Sequence, residues 1–390
     1  MSASVSPPPL KRRRLSLDKD TTVFPNPDVL SIYSHNVNGI GPYLQPAITK
    51  FFKPTQKDGN AFEPATLSLR DCLRRYGWPT ILFLQEVKIA PRDSATVKAL
   101  ERAVSAEAGS TEPDYCVHVC LPSDKHNVRG SGGKVYGVAS IIRKDFFNQR
   151  VSRIGTVDWD REGRFLVCET KPDTTGRRLA IFNVYAVNGT DLPYKDPDTG
   201  EVRGTRHDRK LAVHKLLAGE CRSLEASGYD VVIAGDLNVA RATIDGHPRL
   251  RTYPPQHCIN RADFEARFFS SSDADDDATS PHIKDSGGPH QLGMIDTFRH
   301  VHSQTKGYTY YPRGKAFGES CDRVDLIMVS HSLGDSIVDA GILATAADRG
   351  PSDHVPLYVK LRLDDSAEKS VQPGARDAGN ATEAPKIRPG

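Results

Sequence analysis

Four apolar runs in this 390-residue chain stop at, or start from, a cluster of carboxylates and amides. Residues 31–35 lead into Asn36-Val37-Asn38-Gly39, and Ile81-Leu-Phe-Leu-Gln leads into Glu86. Val231-Val-Ile-Ala-Gly leads into Asp236-Leu237-Asn238, and Ser352-Asp353-His354 opens the run Val355-Pro-Leu-Tyr-Val. Short β-rich runs bounded by turn residues read as buried strands. Side chains alternate along a strand, so Asn36 and Asn38 point one way, as do Asp236 and Asn238. If the four ends converge, they form an oxygen-rich pocket with one histidine. Oxygen ligands suit a hard divalent cation such as Mg²⁺, with Mn²⁺ as the alternative. A cation, a carboxylate base and an imidazole are what phosphodiester cleavage requires.

The elements that must position these residues lie between two polar tails. Residues 1–27, rich in Pro, Ser and charge, and residues 365–390 read as disordered. One domain is expected over 28–364. Strand-like runs fall at 134–142, 165–170, 180–187, 230–234, 307–311, 323–329 and 355–363, and helical patterns at 67–76, 94–108 and 206–225. In the last, Leu211, His214, Leu216, Leu217 and Leu224 share a helical spacing. The strand count implies an α/β fold with two sheets packed face to face and helices outside. The acid-rich stretch 270–289 lacks the glycine and terminal glutamate of a calcium-binding loop and reads as a surface loop. Gly130-Ser-Gly-Gly-Lys134 lacks the Gly-Lys-Ser/Thr ending of a phosphate-binding loop.

Formal net charge is +3, and Lys11, Arg12, Arg13, Arg14 and Lys19 against Asp18 and Asp20 account for all of it. The remainder is formally neutral, so any surface for nucleic acid must be a local patch. The run Lys11-Arg-Arg-Arg14 after three prolines reads as a nuclear import signal. Seven scattered cysteines without a CxxC pair fit reduced thiols rather than zinc. No apolar stretch is long enough for a bilayer span or a secretory leader, and no membrane association is expected.

The ordered set Asn36-Val-Asn38-Gly-Ile, Leu84-Gln-Glu86-Val-Lys88, Glu162-Gly-Arg164, Asn183-Val-Tyr185-Ala-Val-Asn188, Gly235-Asp236-Leu-Asn238-Val-Ala, Asp296-Thr-Phe-Arg299, Asp322-Arg323-Val-Asp325 and Ser352-Asp353-His354 resembles the endonuclease/exonuclease/phosphatase superfamily. Within it the set looks most like the exonuclease-III-type apurinic/apyrimidinic (AP) endonucleases. The resemblance implies a four-layer α/β sandwich of the deoxyribonuclease-I type and metal-dependent phosphodiester hydrolysis. It makes Glu86 the principal metal ligand, with Asn38 and Asp353 beside the ion. It makes Asp236 the water-positioning base, steadied by Asn36 and Asn238. It pairs His354 with Asp325, and sets His354 and Tyr185 on the developing negative charge. Asn188, Tyr310, Val324 and Arg164 are implied substrate contacts. Many relatives have an aspartate where this chain has Asn38, and a small or apolar side chain where it has Asp322.

The function expected is Mg²⁺-dependent cleavage of DNA by a nuclear, monomeric AP endonuclease with 3′-phosphodiesterase or exonuclease activity, acting on duplex with abasic or 3′-blocked sites. The same chemistry would serve a tyrosyl-DNA phosphodiesterase, an RNA deadenylase or a phosphoinositide phosphatase. A non-catalytic nucleic-acid-binding module on the same scaffold predicts a broken site, whereas Glu86, Asp236, Asn238, Asp325, Asp353 and His354 are all present.

Overall fold

A computed structural model describes residues 28–44, 68–127, 135–269 and 291–363. The basic run at 11–14, both expected tails, the glycine-rich segment 130–134 and the acid-rich stretch 270–289 lie outside them. One six-stranded sheet contains β1 (Val29–Asn36), β2 (Ile81–Gln85), β3 (Tyr115–Cys120), β4 (Val138–Arg143), β15 (Ile337–Ile342) and β16 (Leu357–Arg362), in the order β15-β16-β1-β2-β4-β3. The other contains β5 (Val151–Gly155), β6 (Phe165–Thr170), β7 (Arg178–Tyr185), β10 (Tyr229–Asp236), β12 (Ile295–Asp296) and β14 (Asp325–Val329), in the order β12-β14-β10-β7-β6-β5. Two short antiparallel pairs, β8 (Pro193–Lys195) with β9 (Val202–Thr205) and β11 (Gly246–His247) with β13 (Cys321–Asp322), lie outside the two sheets. Each large sheet has one parallel pair, β1–β2 and β7–β10, and is otherwise antiparallel.

Period-two alternation sorts the strand residues into three cores. In β10, Val232 and Ala234 face the opposite sheet, while Val231 and Ile233 pack outward. That outward side meets Leu217 of α4 (Arg206–Ala226) and Phe264 and Phe268 of α5 (Gln256–Phe268). In β2, Phe83 faces between the sheets and Leu82 and Leu84 pack outward. They meet Leu69 and Leu73 of α1 (Leu69–Arg75) and Leu100 and Val104 of α2 (Ser94–Val104). The result is the expected four-layer sandwich. Short helices α3 (Lys144–Arg150), α6 (Thr297–Val301) and α7 (Ala346–Arg349) occur between strands.

Two expectations differ from what is found. Residues 307–311 form no strand; Tyr310 makes only isolated bridges to Asp322 and His354. The aromatic run there instead packs a small cluster, with Tyr311 and Tyr308 against Cys321 and Val355. In α4 the inward face is Arg206, Arg209, Lys210, Val213, His214, Leu217 and Cys221, while Leu211 and Leu216 are only half-buried. Burial follows charge as well as hydropathy here, because the helix packs over a carboxylate: Glu162 accepts from Arg206 (2.6 Å) and Arg209 (3.2 Å). Thr205 and Asp208 cap the helix reciprocally, which fixes where those cations start.

Candidate active site

The residues between the sheets change from apolar to polar at one end of the sandwich. Following the period-two rule, Leu30, Ile32, Ser34 and Asn36 share a face of β1, and Val232, Ala234 and Asp236 share a face of β10. Strand register then sets neighbours side by side. Asp236 pairs with Tyr185 in the parallel β7–β10 ladder and with Asp325 in the antiparallel β10–β14 ladder. One rung therefore carries a phenol and two carboxylates. Across from it, Asn36 pairs with Gln85. Gln85 Nε2 donates to Asn183 Oδ1 at 2.8 Å, so the polar seam also ties the sheets together.

β10 reaches β7 closely at Gly235, whose φ is 149°; a Cβ there would lie 1.9 Å from the Val184 carbonyl oxygen. After the strands the chain turns abruptly. Asn38, Glu86, Lys88 and Asn238 all have φ between 50° and 53°. A glutamate and a lysine in this region are uncommon, and such strain clusters at functional sites.

Asn36 Nδ2 lies 3.0 Å from Asp236 Oδ2 and 3.2 Å from Glu86 Oε1, joining the acids of the two sheets. Tyr185 donates its hydroxyl to Glu86 Oε1 at 2.7 Å. Asn238 donates its backbone N–H to Asp236 Oδ1 at 3.0 Å and its amide to the Ala186 carbonyl at 3.0 Å. His354 places Nδ1 2.7 Å from Asp325 Oδ2 and Nε2 4.0 Å from Asp236 Oδ2. The other Asp325 oxygen, Oδ1, is buried without a hydrogen-bond partner. Asn38 donates to Asp353 Oδ1 at 2.8 Å.

Electrostatics follow from this crowding. Burial and the Asp325 charge push the Asp236 carboxyl upward. Burial alone would lower His354, but Asp325, Asp236 and Asp353 hold it up to about 10, so it is an imidazolium at neutral pH. Burial would raise Glu86, yet Lys88 and the hydroxyl of Tyr185 bring it below the usual carboxylate range.

Asp236, Asp325 and His354 have candidate ligand atoms within 4.8 Å of one another. His354 and Asp325 already bond each other, so that trio works as a hydrogen-bonded array. Glu86, Asn38 and Asp353 also carry side-chain oxygens of the kind a hard cation takes. A positive charge already sits among them: Lys88 Nζ lies 2.9 Å from Glu86 Oε2 and also bonds Asn38 Oδ1.

A cavity of about 260 Å³ opens onto this array. Glu86, Tyr185, Asn188, Asp236, Asn238, Tyr310, Val324, Asp353 and His354 line it, so nine of the expected residues meet in one hollow. Asn36 and Asp325 stand behind it as buried supports. Arg164 does not line it: it is buried, bonded to Glu162 (3.0 Å) and the Tyr185 carbonyl (3.0 Å), with its guanidinium 4.8 Å from the Tyr185 ring. It steadies Tyr185 from behind rather than reaching outward. Sequence reasoning missed Lys210, Arg251, His257, Asn260 and Arg261 on the same cavity. Only Lys210 carried a signal, as a cation within a predicted helix.

Residues 33–354 match the model of the Endonuclease/Exonuclease/phosphatase family. The chain is 26% identical over 230 residues to mouse DNA-(apurinic or apyrimidinic site) endonuclease 2, a match covering 56% of this chain and 38% of that protein. Among solved structures it is similar to the Xenopus laevis APE2 catalytic domain (TM-score 0.55, 18% identity, 85% of this chain and 91% of that one). It is also similar to the AP endonuclease LMAP from Leishmania major (TM-score 0.58, 17% identity, 86% and 88%). At these identities the two structures establish a shared fold.

Proposed function

The chain belongs to the endonuclease/exonuclease/phosphatase family of hydrolases, and on that premise we propose that it cleaves phosphodiester bonds in DNA, at abasic or 3′-blocked sites, with Mg²⁺ or Mn²⁺. The observation that carries this reading is the Asn36 bridge between Glu86 and Asp236, which sets a cation-binding acid beside a base of raised pKa. Glu86 and Asp353, with Asn38 beside them, would hold a divalent ion, which would supply charge neutralisation for the phosphate and the departing oxygen.

The protein groups do the rest. Asp236, oriented by Asn36 and the Asn238 backbone, accepts the proton of the attacking water as its oxygen forms the new bond to phosphorus. His354, kept cationic by Asp325, donates its Nε2 hydrogen to a non-bridging oxygen. Tyr185 keeps its proton, because burial and Glu86 push its pKa well above the usual value. It therefore orients Glu86 as a donor. Asn188 at the exposed rim, with Tyr310 and Val324 beside His354, would contact the sugar-phosphate.

Relatives named as AP endonucleases support the substrate, and the basic run at 11–14 supports a nuclear location. None of the helices among the described residues is long and apolar enough to cross a membrane. The test is a cleavage panel: an abasic duplex, a 3′-blocked nick, a 5′-tyrosyl end and poly(A) RNA, each with and without chelator. Preference for the first two, abolished by chelator and by Glu86→Gln, is expected. Faster turnover of the tyrosyl end or the RNA would reassign the substrate.

A further inference from the structure

Past Asp236 and Asn238 the cavity continues toward α4 and α5, where Lys210, Arg251, His257, Asn260 and Arg261 line it. On this wall the cations outnumber the acids. Asp322 supplies the one carboxylate, with Oδ2 2.8 Å from Arg251 Nη2. Lys210 is buried and donates to the Asn238 carbonyl at 2.7 Å; burial lowers its pKa to about 7. Arg261 donates to the carbonyls of Ala240 (2.6 Å) and Arg251 (2.9 Å). His257 is lowered first by burial and then by His207, Arg251, Lys210 and Arg261. Asn260 is buried; its Nδ2 meets His207 Nδ1 at 2.9 Å, and its Oδ1 has no partner.

Resting on the phosphodiesterase reading above, we propose that this wall is a subsite for a second phosphate, a monoester on the nucleotide adjoining the scissile bond, gripped by Arg251, His257 and Asn260. Arg251 and Arg261, with Lys210 between Asp236 and this wall, leave the end of the cavity around Asp322 with a positive excess that an arriving anion offsets. A monoester carries about −1.5 to −2 charges at neutral pH, against −1 for an internal diester, so it offsets more of that excess. Arg251 is half-exposed and its planar fork suits phosphate oxygens. Asp322 acts as a positioning residue: its bridge to Arg251 holds the guanidinium at the cavity wall. With the proton on His207 Nδ1, a flipped Asn260 amide would accept there through Oδ1 and free its NH₂ to donate to the phosphate. A monoester exists only at a strand end, so the subsite selects phosphorylated ends over hydroxyl ends.

The test uses the full chain with Mg²⁺ and nicked duplexes whose nick carries a 3′-phosphate, a 5′-phosphate or only hydroxyls. It reads release of the terminal nucleotide. A phosphate-over-hydroxyl ratio in kcat/KM of about tenfold, mainly through KM, is expected at one of the two ends. Arg251→Ala should bring that ratio to about one. Asp322→Asn, which removes the opposing charge and keeps the shape, should raise it. A ratio near one at both ends, or one unmoved by either substitution, overturns the subsite. If none of the duplexes is cut, the phosphodiesterase reading falls instead. Anisotropy with Asp236→Asn on the same duplexes then decides the subsite alone: tighter binding of a phosphorylated end supports it, and equal affinity rejects it.

Discussion

Two groups of buried acids sit within one fold and are treated in opposite ways. Asp245 and Asp296 share three arginines. Arg323, almost fully buried, spans both at 2.7–3.1 Å; Arg241 bonds Asp296 at 3.0 Å, and Arg299 bonds Asp245. Both carboxyls are held below their usual range: burial would raise them, and the guanidinium charges prevail. Glu86, Asp236, Asp325 and Asp353 receive no arginine in their hydrogen bonds and ion pairs among the described residues. They have Lys88 and His354 instead, and Asp236 is pushed upward. Arg323 lies only two residues from Asp325, so proximity in the chain is not the reason. An acid cluster with its charge matched is scaffold. One left short of positive charge is prepared for a cation and a proton.

The sharpest way to break this comparison is to remove one acid from each group. Asp236→Asn or Glu86→Gln should slow DNA cleavage by about 10³-fold or more. Asp236→Asn should not lower the thermal midpoint, because it relieves repulsion among unmatched charges. A midpoint several degrees lower would mean that the catalytic acids are structural too. In the matched group, Arg323→Met strands Asp245 and Asp296 and should cost about 3–5 kcal/mol, read from urea denaturation. A loss under about 1 kcal/mol would erase the distinction.

Two histidines at the same strand ends extend the contrast. His354 faces three carboxylates and is held at about 10. His35 donates its Nε2–H to the His354 carbonyl (3.2 Å), and burial drives its pKa down to about 4. Its unfolded value is near 6.5, so between pH 6.5 and 4 the unfolded chain takes up a proton that the folded one refuses. The sign is therefore loss of stability as pH falls through that window, by up to roughly 3 kcal/mol at 1.36 kcal/mol per unit. Comparing unfolding free energies of the wild type and His35→Gln across pH 4–7 checks this. An unchanged pH slope in the variant would refute it.

The strand ends of the candidate site were legible because each apolar run breaks into polar residues at the place where the sandwich opens. The matched acid group was not legible, since Arg323 and Asp245 are 78 residues apart and nothing local marks them as partners. The cationic wall was hidden for the same reason: Arg251 precedes α5, His257 lies near its start, and Asp322 arrives on β13. In α4, hydropathy pointed to the leucines, while Glu162 drew the arginines inward. Local pattern therefore found the residues that end strands and missed those whose burial depends on a distant charge.

The smallest effect sharpens the comparison most, because it adds charge to the unmatched side rather than removing it. Asn38→Asp replaces the amide that now donates to Asp353 (2.8 Å) with a further carboxylate facing Glu86 and Lys88. Without a divalent ion the added repulsion should lower the thermal midpoint by a few degrees. With the ion present the deficit should disappear, and Mn²⁺ should bind about tenfold more tightly by calorimetry, equivalent to about 1.4 kcal/mol. The same isothermal titration on Glu86→Gln should show weaker binding, which separates a charge effect from a change in shape. Equal affinity for Mn²⁺ in Asn38→Asp and the wild type would place the ion away from Asn38, and the unmatched acids would then need another explanation.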